Sequence, residues 1–98
     1  MLKNLIKEDI SLKKKLIKFE NKILKIIDIL NSRFLSGQHV FICGNGGSAA
    51  DAQHLSAEFL VRLRPNINRK AYPLINLLQD PSTFTACSND YNFDQILL

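Results

Sequence analysis

A short apolar run, His39-Val40-Phe41-Ile42-Cys43, passes without a linker into Gly44-Asn45-Gly46-Gly47, and that turn passes directly into Ser48-Ala49-Ala50-Asp51. The run has β-branched and aromatic members and no polar alternation, which predicts a strand buried on both faces in a parallel sheet. Glycines let the chain reverse sharply and let another group approach the backbone closely. Ser48, with Asp51 three residues on, has the spacing of a helix N-cap and an acidic N3 residue, and predicts a helix to about Leu63. A second strand is expected at Tyr72 to Leu78, with Pro73 near its start, where a missing donor does least harm. Helix, strand, helix, strand, helix is the order of an α/β protein, a parallel sheet with right-handed crossovers of which two strands are present.

From Leu2 to Ser36 there is neither Gly nor Pro, and Leu5, Leu12, Leu16, Phe19, Ile23, Ile26 and Leu30 recur at helical spacing, interrupted by Asp9. One long helix and two helices joined near Asn21 fit equally, with Gly37 as the C′ residue. The stripe packs either in the core of this chain or against another subunit. Residues 1–36 therefore read as an N-terminal helical segment and 37–98 as the start of a sheet domain. Asp80-Pro81-Ser82 reads as an N-cap with Pro at the first helical position, opening a helix to about Cys87 that Ser88-Asn89-Asp90 breaks. Phe93 to Leu98 resembles the first turns of another helix, and the sequence stops on Ile96-Leu97-Leu98 without a capping signal. A chain of 98 residues buries a smaller share of its surface than one of ~150. The expectation is an incomplete domain, poorly folded and inactive on its own.

The net charge of +4 comes largely from lysines in the first 25 residues, Lys3, Lys7, Lys13, Lys14, Lys15, Lys18, Lys22 and Lys25, in a helical pattern. No aromatic residues are interleaved to stack on bases, so a solvated helix face is expected rather than a nucleic-acid partner. No stretch reaches the ~18 apolar residues of a membrane span, and the N-terminus lacks the compact apolar run of a signal peptide. Cys43 and Cys87 have no metal-binding or redox spacing. Free thiols and a cytoplasmic location are the expectation.

The Gly-rich turn opening a helix presents backbone N–H groups and the positive helix end to a polar or anionic ligand. Gly44, Gly46 and Ala49 also satisfy the loose dinucleotide fingerprint G-x-G-x-x-A, but Arg62, Leu63 and Arg64 stand where its acidic residue belongs. A nicotinamide site and a purely structural turn are the alternatives to an anion cradle. On the following helix, Asp51, His54, Glu58 and Arg62 share an arc of about 100°. That arc is either a solvent face carrying a Glu58–Arg62 pair or the wall of a cleft. His54 and Glu58 aim an imidazole and a carboxylate at one point, which suits two zinc ligands or a base with its orienting partner. Two ligands do not complete a metal site.

The run Cys43 to His54, continued by Ser56-Ala57-Glu58 and Arg62, resembles the signature of the bacterial phosphoheptose isomerases, which are sugar isomerase (SIS) domain proteins. Asp80-Pro81-Ser82-Thr83 and Ser88-Asn89-Asp90-Tyr91 are similar to the family's second block. The resemblance covers Gly37 to Leu98 well and the N-terminal helices only in type. It implies a SIS-type three-layer parallel sheet flanked by helices, truncated here after two strands. It also implies interconversion of D-sedoheptulose 7-phosphate and D-glycero-D-manno-heptose 7-phosphate through an enediol, feeding heptose into lipopolysaccharide or another surface polysaccharide. By position, Asn45, Gly46, Gly47, Glu58, Asn89 and Asp90 would bind the sugar phosphate. His54 and Glu58 would bind zinc, Glu58 would be the base, and Ser48 and Arg62 would be neighbours of the site. Relatives are homotetramers with sites between subunits, and take a Ser/Thr-rich phosphate loop, a Gln and a His from beyond residue 98. Ser88 stands where relatives usually have Gly, which would alter that turn. The rival readings are a non-catalytic SIS module that binds a sugar phosphate or a replication-initiator type protein, and a purely helical interaction piece.

Overall fold

Without Gly or Pro before Gly37, the backbone stays helical from Leu2 to Leu35, but not as one α-helix. In the computed structural model, which describes residues 1–97, α1 (Leu2–Lys15) gives way to a 3-10 turn at Leu16–Phe19 before α2 (Glu20–Leu35). The junction thus falls just before the expected Asn21. Ile17 and Phe19 have weaker helix propensity than the residues around them. Phe19 leaves the α-region at φ −103°, ψ 6°, with the Lys22 ammonium 5.7 Å from its ring centroid. Gly37 ends α2 as expected: its φ is +72°, its N–H donates to Phe34 O, and the Gln38 N–H donates to Arg33 O. That pair of bonds is the Schellman arrangement, in which a left-handed residue lets the chain satisfy the last carbonyls.

The rest of the described chain is β1 (Val40–Ile42), α3 (Gly47–Leu60), β2 (Leu74–Asn76), α4 (Pro81–Asp90) and a 3-10 turn at Phe93–Gln95. β1 and β2 pair in parallel with Val40 opposite Leu74 and Ile42 opposite Asn76. Flanking bonds from Val40 N–H to Pro73 O and from Leu77 N–H to Ile42 O extend the ladder. This is the β-α-β unit expected from the order of elements, with α3 against β2 and α2 against β1. Both strands are shorter than the apolar runs that encode them.

Burial concentrates where α3 meets β2, at Ala52, Ser56, Leu74 and Asn76. The Ser56 hydroxyl donates to Leu74 O at 2.6 Å, and Asn76 Oδ1 accepts from the Leu78 N–H. A second cluster joins α2 to α3: the Phe34 ring lies 5.5 Å from Phe59 and 5.2 Å from Tyr72. The apolar stripe of α1 and the first part of α2 is exposed, including Leu5, Leu12, Leu16, Phe19, Ile23 and Ile26, so it is not a core of this chain.

Three helix boundaries differ from expectation. α3 starts at Gly47 with Gly46, at φ +58°, as its N-cap, so Ser48 lies inside the first turn and caps nothing. The reversal at Gly46 takes place two residues earlier than the side-chain pattern implies, and Gly46 O already accepts from the Ala49 and Ala50 N–H groups. α3 ends at Leu60 rather than Leu63: Val61 leaves the α-region at φ −101°, ψ −86°, and the Arg69 side chain donates to the Glu58 and Phe59 carbonyls. α4 begins as expected on Asp80 and Pro81 but runs on through Ser88-Asn89-Asp90. Those residues disfavour a helix only weakly, and a Gly or Pro is absent. The helix expected from Phe93 is a single 3-10 turn, and its last residue, Leu98, lies outside the described residues.

Candidate functional site

In a parallel sheet, ligands collect where the strands end at their C-terminal edge, since the loops there open toward the following helices. β1 runs at that edge into Gly44 and Asn45, and β2 runs toward Asp80 and α4. Between them lies a hollow of about 350 Å³ lined by Gly44, Asn45, Gly46, Ala49, Leu78, Pro81 and Phe84. Gly44 is there for a steric reason: a Cβ on it would sit 2.2 Å from Ser48 O and 2.4 Å from Ser48 C. The turn can therefore fold back on the first turn of α3 only with glycine at that position. Gly47 faces open space, with nothing within 4 Å of a Cβ placed on it.

His54 and Glu58 sit further along α3, outside that lining, and meet directly: Nε2 of His54 is 2.9 Å from Oε1 of Glu58. The His54 side chain is 78% exposed and that of Glu58 26%. As a stabilising pair this contact is small, on the order of 0.3 to 0.5 kcal/mol for i, i+4 partners at a surface. Its interest is directional, since it sets an imidazole nitrogen and a carboxylate oxygen side by side at one edge of the helix. Arg62 is not part of that edge, because α3 has ended before it, and the Glu58 carboxylate pairs with His54 instead.

Asn89 and Asp90 form the last turn of α4, where Asn89 Nδ2 donates to Asp90 Oδ1 at 3.1 Å. Ser88 beside them has a buried hydroxyl with no hydrogen-bond partner among the described residues. At the other end of α4, Asp80 accepts from the Ser82 N–H at 3.1 Å and from the Thr83 hydroxyl. The Thr83 hydrogen bond, and after it the Ser82 N–H, hold the Asp80 carboxyl below its ordinary value of 3.8. The structure thus gathers Asn45 and Gly46 into one hollow, His54 with Glu58 in one pair, and Asn89 with Asp90 in another.

As a metal site the His54–Glu58 pair has the right donor types, an imidazole nitrogen and a carboxylate, converging on one point. Among the described residues no group of three or more His, Cys, Asp or Glu side chains comes together. The pair fits half of a tetrahedral zinc site and no more. Cys43 is exposed and Cys87 half-buried, and the two are not joined to each other.

The sequence pattern does not single out Arg69. Its guanidinium donates through Nη2 to Glu58 O at 2.6 Å and through Nη1 to Phe59 O at 2.9 Å and Lys70 O at 3.1 Å. The same group lies 4.8 Å from the Tyr72 ring centroid. An arginine bonded to main-chain carbonyls ten and eleven positions back has no side-chain partner for a sequence reading to find.

A β-α-β unit with a Gly-rich turn at the strand edge, followed by a helix bearing a His/Glu pair, defines a class, and the family comparison identifies it: residues 8–98 match the SIS domain, and the chain belongs to that family. Within the family it is similar to phosphoheptose isomerases. It is 46% identical to that of Chlorobaculum tepidum over 76 residues, covering 78% of this chain and 36% of the relative. It is 51% identical to that of Synechocystis over 69 residues, covering 70% and 34%. With that of Clostridium acetobutylicum it shares 40% identity over 94 residues, covering 93% and 47%. Among solved structures, the phosphoheptose isomerase of Neisseria gonorrhoeae superposes with a TM-score of 0.64 at 28% identity, over 98% of this chain and 50% of that one. That of Francisella tularensis gives 0.59 at 33% identity, over 88% and 51%. The chain spans between about a third and a half of the length of these relatives. No helix among the described residues is long and apolar enough to cross a membrane.

Proposed function

We propose that the protein carrying this chain is an aldose–ketose isomerase acting on D-sedoheptulose 7-phosphate and D-glycero-D-manno-heptose 7-phosphate. The observation that carries this reading is the His54–Glu58 contact at 2.9 Å, on the helix that follows the Gly-rich turn of a SIS domain. Identities of 40 to 51% with phosphoheptose isomerases support the same substrate class.

In this reading the backbone around Asn45, Gly46 and Gly47, with Asn89 and Asp90, holds the sugar phosphate. Glu58 is the base: it takes a proton from C1 of the ketose while the C2 carbonyl oxygen is protonated by an acid, giving the enediol. Loss of the O1 proton and return of a proton to C2 complete the aldose, so the step is redox-neutral overall. His54 orients the Glu58 carboxylate. His54 and Glu58 would also hold zinc with further donors from outside this chain, and a bound zinc would polarise the carbonyl as a Lewis acid. A homotetramer in the cytoplasm, supplying heptose for a surface polysaccharide, completes the proposal. The exposed stripe of α1 and α2 supports the oligomer.

The test is incubation of the whole protein with sedoheptulose 7-phosphate, with and without added zinc, and detection of the aldose product by NMR. Turnover supports the proposal. A folded, zinc-supplied protein without turnover overturns it, and sugar-phosphate binding without turnover would make it a non-catalytic SIS module.

A further inference from the structure

Helix ends normally leave their last carbonyls to water, to a glycine turn or to a short 3-10 continuation. At Glu58 and Phe59 of α3 the donor is instead a side chain from further along the chain. The Arg69 fork takes both carbonyls, at 2.6 Å and 2.9 Å, and the Tyr72 N–H adds a 3.1 Å bond to Phe59 O. The guanidinium is itself held from a second direction, 4.8 Å from the Tyr72 ring centroid, and Tyr72 packs on Phe34 of α2. Arg69 therefore ties the main chain of the Glu58 turn to the approach of β2 and, through the aromatic cluster, to α2. A planar fork with parallel donors fixes direction as well as distance, which a lysine ammonium does not.

We infer that Arg69 is a positioning residue for Glu58. It stops α3 at Leu60 and fixes the backbone from which the Glu58 carboxylate reaches His54. This role rests on the reading of Glu58 as the proton-transferring base, since only then does its placement govern a rate. Displacing a reacting group by an ångström costs up to about a hundredfold in rate while leaving ligand contacts elsewhere intact.

Two measurements test the role separately from the isomerase reading. In the whole protein, R69M is expected to lower kcat at least about tenfold with KM for the sugar phosphate within about twofold. R69K, which keeps the charge and one donor direction, is expected to recover part of that loss. In the same whole protein without substrate, the imidazole resonances of His54 are expected to shift in R69M toward those of E58Q, a readout that needs no turnover. If R69M leaves both kcat and the His54 resonances unchanged, the inference is overturned. If the parent protein shows no isomerase activity, the resonances alone decide: a shift in R69M retains Arg69 as the residue that places Glu58, and no shift overturns it. Should R69M fail to fold, R69K carries the same comparisons, with unchanged kcat and resonances again the overturning result.

Discussion

Ser56 Oγ donates a 2.6 Å hydrogen bond to the carbonyl of Leu74, so the middle of α3 is pinned to the first residue of β2 at a point where both residues are buried. Removing the hydroxyl leaves that carbonyl without this partner in a dry contact. S56A is expected to destabilise the chain by about 1 to 3 kcal/mol, read from the urea midpoint. An unchanged midpoint would mean that water or a backbone shift replaces the bond at no cost.

Gly44 and Gly47 stand three residues apart in one turn and should respond in opposite ways. A Cβ at Gly44 meets Ser48 O at 2.2 Å and Ala49 N at 2.8 Å, both main-chain atoms that cannot swing aside. G44A is expected to cost about 3 kcal/mol or more, or to prevent folding, as overpacking against a fixed neighbour does. G47A meets nothing within 4 Å and should keep the parent's thermal midpoint within about 2 °C while weakening sugar-phosphate binding. Equal stability losses for the two variants would contradict the steric account of Gly44.

Exchange chemistry separates the roles of Glu58 and His54. E58Q keeps the shape of the side chain and removes the carboxylate proposed as the base, so solvent deuterium incorporation into the substrate should fall by about 10² to 10⁴. H54Q should retain a larger share of that exchange and show the greater loss in zinc affinity by competition with a chromogenic chelator. Full exchange in E58Q would remove Glu58 from the proton transfer.

Asp80 makes the start of α4 sensitive to acid. Its carboxyl is held below 3.8, first by the Thr83 hydroxyl and then by the Ser82 N–H. A folded-state value below the unfolded one gives stabilisation that is complete above 3.8 and disappears as pH falls through the lower, folded value. The stability difference between the parent and D80N should therefore shrink as pH is lowered below 3.8. A difference that stays constant through that range would show that the ionised form has no advantage at this cap.

Much of the architecture was legible because it depends on local chemistry. The Gly37 terminus, the Asp80-Pro81 start, the two parallel strands and the Gly-rich turn between β1 and α3 each follow from the conformational limits of a few residues. The boundaries that escaped were set by tertiary partners. Ser48 looks like a cap because its spacing to Asp51 is right, but the chain has already reversed at Gly46. The periodic pattern of α3 continues to Leu63, but the helix ends at Leu60, where Val61 leaves the α-region and Arg69, from ten positions on, donates to the Phe59 carbonyl. For the same reason the four-residue polar stripe loses Arg62, while its His54–Glu58 half is present as a direct contact.

The 3-10 turn at Leu16–Phe19 has a geometric effect that extends along the whole N-terminal segment. Four residues at three per turn instead of 3.6 advance the helix by about 80° more than an α-helix would. Leu5 and Leu12 on α1, and Ile23 and Leu30 on α2, would form one straight seam on an uninterrupted α-helix. Here the second pair is rotated away from the first about the axis. A surface that follows both pairs has to turn with them between Leu12 and Ile23, so a partner matched to one pair is out of step with the other.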